Sequence, residues 1–307
     1  MEELREVFAR ELIELGKEFP NLYVIDADLK TSTRTVLFED AYPRRFIQAG
    51  IAEQNMVGIA AGLALEGKIP IVCTFANFLA SRALDQVYTS VAYPGINVKF
   101  AGAYSGILTG KLGATHQAIE DLAVMRGIPG LRIAAPADSW ELRSVMRKSV
   151  EYNGPVYFRV DKNKPELEFT MGFPFEWGKG HEILHGTTAT LIGTGIASRW
   201  AFEAASALHE EGINVRFLHM PSIKPFDDEL VLKAAKETGI LITIENHSII
   251  GGLGGAVCEV ACREQPAKVV RLGVKDMFCE TGSDVELQEE YNLTAKDITK
   301  TVKSLLK

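Results

Sequence analysis

Hydrophobic positions alternate between two spacings along the chain. Leu4, Val7, Phe8, Leu12 and Leu15 recur at helical spacing, which predicts an amphipathic helix over 2–18. Short apolar, β-branched runs then read as strands at 22–26, 69–75, 96–100, 131–135 and 156–160. Helices are expected between them: a small-residue helix over 58–64, one over 78–93 stopped by Tyr93-Pro94-Gly95, one from Gln117, and one capped by Asp138. Residues 165–182 hold Pro, Gly and aromatics without a period, and read as a linker. Strands at 189–192, 214–218, 240–245 and 268–272 alternate with helices beyond it. The expected fold class is α/β with two domains, 1–164 and 183–307, each with a mostly parallel sheet flanked by helices.

Composition narrows the classes. With 307 residues, 47% hydrophobic and 24% charged, the chain reads as a soluble globular protein. A net charge of −7 without any basic run argues against a nucleic-acid partner. No apolar stretch reaches about 18 residues, so no membrane span is expected. The start, Met1-Glu2-Glu3-Leu4-Arg5, lacks the apolar core of a signal peptide. Cys73, Cys258, Cys262 and Cys279 are scattered without further metal ligands nearby, which suggests packing roles, no metal site in this chain, and a cytoplasmic location.

Candidate chemistry gathers at strand ends. Glu53, in Gly50-Ile51-Ala52-Glu53-Gln54-Asn55-Met56, opens the small-residue helix. Its simplest role is to satisfy the helix dipole. The strand 69–75 runs into Phe75-Ala76-Asn77-Phe78, and in open α/β sheets ligands lie beyond the carboxyl ends of strands. A helix-start carboxylate with two phenyl rings suits a flat ring carrying a protonatable nitrogen. His116 ends a long Gly-rich loop, 102–116, of the kind that is usually functional. Gly193-Thr194-Gly195 lacks the dinucleotide fingerprint. The run Gly251-Gly252-Leu253-Gly254-Gly255 reads as a tight turn or as an anion-binding helix start.

The ordered set Gly-Ile-Ala-Glu-Gln-Asn-Met, Thr74-Phe-Ala-Asn-Phe and Gly113-Ala-Thr-His-Gln resembles the transketolase family, in the form of a C-terminal half encoded as a separate subunit. The resemblance implies a thiamine diphosphate pyrimidine-binding fold followed by a transketolase C-terminal-like domain. It implies that Glu53 hydrogen-bonds N1′ of the pyrimidine, that Phe75 and Phe78 stack on that ring, and that Asp28 lies near the cofactor. It further implies that Arg5 and Ser32 hold a sugar phosphate, and that His116 and Tyr104 face the substrate, with Glu53 and His116 catalytic. The chain has no Gly-Asp-Gly metal–diphosphate motif. By resemblance, Mg2+ or Ca2+ and the diphosphate then belong to a separate N-terminal subunit, around a dimer core in an α2β2 enzyme. The implied reaction passes a two-carbon ketol unit from a ketose (phosphate) to an aldose (phosphate).

Three positions depart from the family pattern. Tyr104 stands where transketolases commonly carry histidine, Lys111-Leu112 where they carry Glu-Asp, and Ala135 where many carry a phosphate-binding arginine. That pattern keeps the cofactor positions and points away from ordinary pentose phosphates. The alternatives are a 2-oxoacid dehydrogenase β subunit, a deoxyxylulose phosphate synthase-like enzyme, and a non-catalytic regulatory subunit. Retention of Glu53 weighs against the last.

Overall fold

A computed structural model describes residues 2–165, 168–264 and 266–307. The expected linker, 165–182, includes residues 166 and 167, which lie outside the described residues.

The strands are β1 (Leu22–Asp26), β2 (Phe46–Gln48), β3 (Ile69–Phe75), β4 (Lys99–Ala103), β5 (Arg132–Ala134), β6 (Val156–Val160), β7 (His181–Leu184), β8 (Thr190–Gly193), β9 (Arg216–His219), β10 (Ser222–Lys224), β11 (Ile240–Ser248) and β12 (Lys268–Val274). They form two sheets. The first runs β10-β5-β6-β4-β3-β1-β2 and the second β12-β11-β8-β9-β7. Every pairing is parallel except β10 with β5 and β7 with β9, each antiparallel at a sheet edge. β3 to β6 are apolar runs because their sheet is covered on both faces.

One cover is the helix Leu4–Glu18 with the helix Ser139–Glu151: Val7, Phe8, Leu12 and Leu15 meet Leu142, Val145 and Met146. On the opposite face, Met56, Val57, Ala60, Leu79 and Val87 belong to a cluster that continues into Val231, Ala234, Leu253 and Val257. The core is therefore shared between the two sheets. A third cluster, around Trp200, Leu208, Phe217, Ile242 and Val302, fills the outer face of the second sheet.

The structure corrects three local expectations. β4 begins at Lys99 rather than 96, because residues 96 and 98 close a turn: Ile96 N–H donates to Val91 and Val98 N–H to Ile96. The single helix expected over 78–93 is broken into Ala76–Ala80, Leu84–Gln86 and a wide π-type turn, Val87–Ala92. The helix expected from Gln117 begins at Asp121. Residues 117–120 are held out of it because the Gln117 amide donates to the Glu280 carbonyl (3.1 Å) and Ala118 bridges to Ser105. β2, β7 and β10 are short edge strands with too few residues for a periodic signal.

Cys73 and Cys279 are buried, Cys258 is partly buried and Cys262 is exposed, and all four thiols are free. No helix among the described residues is long and apolar enough to cross a membrane.

Candidate active site

β1, β3 and β4 end on one edge of the first sheet, and each delivers part of the site. Gly50 has φ +76°, a left-handed turn that lets the chain leave β2 and enter the helix Glu53–Leu65. Glu53 is the first residue of that helix and is only 4% exposed. Arg82 Nη1 donates to its Oε1 at 2.9 Å, and no bond to Oε2 is present among the described residues. The Arg82 guanidinium lies 3.7 Å over the Phe78 ring, a cation–π distance. The broken helix explains this contact, since the turn at residues 81–83 directs Arg82 back onto Phe78 and Glu53.

Phe75, the last residue of β3, anchors an aromatic cluster. Its ring centroid lies 5.6 Å from Phe78, 4.6 Å from Tyr104 and 5.9 Å from His116. His116 meets Phe78 edge-on at 5.2 Å. The Thr115 hydroxyl and His116 Nδ1 are 2.9 Å apart, and the Asn77 amide donates to the Thr115 carbonyl at 2.6 Å. The imidazole is thus carried on a segment tied back to the Phe75–Phe78 turn.

A cleft of ≈ 870 Å³ opens beside this cluster, and Arg5, Ser32, Phe75, Tyr104, His116 and Lys162 are among its lining residues. Arg5 is strongly engaged: Nε bonds Glu3 at 2.6 Å, while Nη1 donates to the Tyr104 hydroxyl at 2.7 Å and the Ser32 carbonyl at 3.3 Å. The second half of the chain also reaches the cleft, through residues 282–285. Glu53 does not line this cleft. Asp28 lies apart from it, on the exposed turn after β1, with φ +64° and its N–H on the Gln48 side chain at 2.7 Å. The buried carboxylate here is that of Asp26, at the end of β1, which takes Leu29 N–H and the Thr33 and Thr35 hydroxyls. Burial pushes its pKa up against those donors.

The loop carrying Tyr104 and His116 is held from the second sheet. Asn246 Oδ1 accepts Ile107 N–H at 2.8 Å, next to Gly106 at φ +69°. Arg159 makes two contacts to Asp121 and donates to the Asn246 carbonyl at 3.0 Å, and Tyr157 donates to Asp121 at 2.5 Å. Burial alone would raise the Asp121 carboxyl, but the Arg159 guanidinium outweighs it and holds it below the usual range. The Gly-rich run after β11 is occupied by the chain itself: Glu245 accepts Leu253 N–H at 2.7 Å and Gly254 N–H at 2.9 Å. That helix start is therefore already capped by a carboxyl group of the chain itself. Burial pushes the Glu245 carboxyl up to about 7 against those two donors.

Sequence reasoning missed Arg82, Asn246 and Lys162. The i, i+4 spacing of Phe78 and Arg82 was the one available signal. Asn246 and Lys162 carry none, since each acts on residues distant in sequence.

The fold and site define a two-domain α/β protein with a buried helix-start carboxylate beside an aromatic cluster at the strand ends. Residues 2–166 match the family described as transketolase, pyrimidine binding domain, and residues 178–298 match transketolase, C-terminal domain. A solved chain described as a split gene transketolase in an inactive beta4 tetramer superposes with a TM-score of 0.92 at 44% identity, covering 100% of this chain and 99% of that one. The 6-deoxy-6-sulfo-D-fructose transketolase subunit of Clostridium sp. (strain MSTE9) is 39% identical, over 97% of this chain and 92% of its own length. An apulose-4-phosphate transketolase subunit from Phocaeicola vulgatus is 39% identical, over 99% of this chain and 97% of its own. The chain belongs to the transketolase family, as the C-terminal subunit of a split transketolase, and is a transferase component.

Proposed function

We propose that this chain, with a separate N-terminal subunit carrying the diphosphate-binding domain, transfers a two-carbon ketol unit from a ketose (phosphate) to an aldose (phosphate). The observation that carries the reading is Glu53, buried at a helix start with one oxygen uncommitted, beside Phe78. The donor set fits the aminopyrimidine of thiamine diphosphate: an apolar ring face and a carboxyl group to meet a ring nitrogen. When bound, that cofactor supplies a nucleophilic thiazolium carbon that carries the two-carbon unit. Glu53 exchanges a proton with the pyrimidine N1′, Arg82 fixes the Glu53 side chain through Oε1, and Phe75 and Phe78 keep water from the ring. His116, oriented by Thr115, hydrogen-bonds substrate oxygens, and Arg5 and Ser32 line the path of the sugar.

Among the described residues no cluster of three or more His, Cys, Asp or Glu could hold a metal ion. The reading assigns Mg2+ or Ca2+ and the diphosphate to the partner subunit, in a cytoplasmic α2β2 assembly around a dimer core. The sugars in the relatives' names, one carrying a sulfo group and one a phosphate, support an anionic sugar as substrate here. The chain segments we assign are 1–164 for pyrimidine binding and 183–307 for the second domain.

Calorimetry with thiamine diphosphate and magnesium tests the division of labour. The chain alone binds weakly and shows no ketol transfer, and adding the N-terminal subunit restores both. Micromolar, magnesium-dependent binding by the isolated chain would overturn the reading.

A further inference from the structure

We infer that the Arg82 guanidinium is a self-inhibiting placeholder for the cofactor's pyrimidine. In the chain by itself it occupies the contacts that the ring requires, and it has to leave the face of Phe78 before the ring is admitted. The inference rests on reading Glu53 and Phe78 as the pyrimidine's contacts.

An aminopyrimidine is flat, lies against an aromatic face and hydrogen-bonds a carboxyl group. A guanidinium shares all three properties: it is planar and delocalised, it stacks on aromatic rings, and its N–H groups donate to carboxylates. Arg82 uses them at one place. Its Cζ lies 3.7 Å from the Phe78 ring centroid, and its Nη1 donates to Glu53 Oε1 at 2.9 Å. Among the described residues its side chain makes no other hydrogen bond. One group touches both residues, so the covered face of Phe78 is the face beside the carboxyl group. At 3.7 Å the guanidinium is in contact with the ring, and a second flat group has no room on that face.

The arginine is anchored at its backbone and loose at its tip. The N–H groups of Arg82 and Ala83 both donate to the Phe78 carbonyl, at 3.0 and 3.1 Å, which places the Arg82 side chain one turn beyond Phe78. Glu53 and Phe78 are 4% and 7% exposed, whereas the Arg82 side chain is 48% exposed. The guanidinium thus covers a carboxylate and a ring that are otherwise buried, and it moves into solvent without opening a cavity in the core. A half-exposed pair of this kind holds weakly, so a ligand displaces it. Leaving the ring face does not require giving up Oε1. Glu53 keeps Oε2 for the ring nitrogen, and Arg82 steadies the carboxylate through Oε1 once the ring is in. A guanidinium that covers the ring about nine-tenths of the time lowers the apparent affinity for the pyrimidine about 10-fold.

Saturation-transfer NMR on the full chain tests this, with the free dimethyl aminopyrimidine head of thiamine as the probe. That head carries neither thiazolium nor diphosphate, so neither partner nor metal takes part. Arg82→Ala binds the probe about 10-fold more tightly than wild type, at an unchanged melting temperature, and adding Glu53→Ala to it abolishes the gain. An arginine that served only to orient Glu53 predicts the opposite sign, a loss of binding in Arg82→Ala. Equal or weaker binding by Arg82→Ala, no saturable signal in either protein, or a gain that persists without Glu53 overturns the placeholder. Equal or weaker binding by Arg82→Ala, together with wild-type binding that Glu53→Ala removes, would leave the cofactor reading standing. If Arg82→Ala gains binding but the reconstituted enzyme moves no ketol unit, the catalytic reading fails and the placeholder stands.

Discussion

Glu53 separates two physical roles for one carboxylate. If it serves only the helix dipole, Glu53→Gln costs about 0.3–1 kcal/mol of stability and little rate. If it exchanges a proton with a ring nitrogen, the isosteric amide leaves fold and assembly nearly intact while activation falls about 10²–10⁴-fold. The contact with Arg82 sharpens the contrast, because Arg82 is 48% exposed and the pair is therefore a weak contributor to stability. C2-proton exchange of the bound cofactor, followed by NMR in the reconstituted enzyme beside the melting temperature, distinguishes them. Wild-type exchange in Glu53→Gln would return this residue to the dipole role. Glu53, Phe75, Phe78 and His116 were legible in sequence because each lies at a strand end or helix start within a continuous motif. Arg82 was hidden by the break after Ala80, since an unbroken helix over 78–93 would not turn its side chain back to Glu53.

Elements matter where a long loop must be held by contacts from elsewhere in the chain. The loop 102–116 keeps its shape because Gly106 packs against Asn246 with a positive φ, where an added Cβ would overlap the carboxamide. Gly106→Ala therefore meets two penalties, backbone strain and overlap, and is expected to cost about 1–3 kcal/mol. Asn246→Ala removes the overlap but not the strain, so the pair is less than additive by about 0.5–3 kcal/mol in urea titrations of the single and double variants. Simple additivity would show that the loop does not rest on Asn246. The sequence revealed this loop by its glycines and its length. It did not reveal the support, because Asn246 is about 140 residues away and an asparagine at the end of an apolar strand carries no periodic signal.

For the whole molecule, the join between the two sheets is polar at its centre and apolar around it. The parallel sheets and their helices were readable because β3, β6, β8 and β11 are buried apolar runs. The junction was not, since Glu245 and His247 lie in such a run and look like its solvated end. The side chains of both are fully buried, and Oε2 of Glu245 lies 3.6 Å from Nδ1 of His247. Burial raises the Glu245 carboxyl from 4.5 to about 7. It lowers the His247 imidazole from 6.5 to about 4, with Arg159 acting in the same direction. The two titrate with opposite effect. For Glu245 the folded chain holds its proton where the unfolded chain has lost it, so its contribution is fully present below about pH 4.5 and is lost as pH rises through about 7. For His247 the folded chain stays neutral where the unfolded chain is protonated, so stability is lost as pH falls from about 6.5 towards 4. Glu245→Gln removes the first effect and leaves the second. The stability difference between wild type and Glu245→Gln should therefore shift against wild type by about 1–3 kcal/mol between pH 5 and pH 8. Urea titrations at fixed protein concentration across that range measure it, with the concentration held because assembly would otherwise shift the midpoint. A difference independent of pH would mean that Glu245 is ionised in the folded chain throughout, with Leu253 N–H, Gly254 N–H and the nearby Arg159 and Arg271 outweighing its burial.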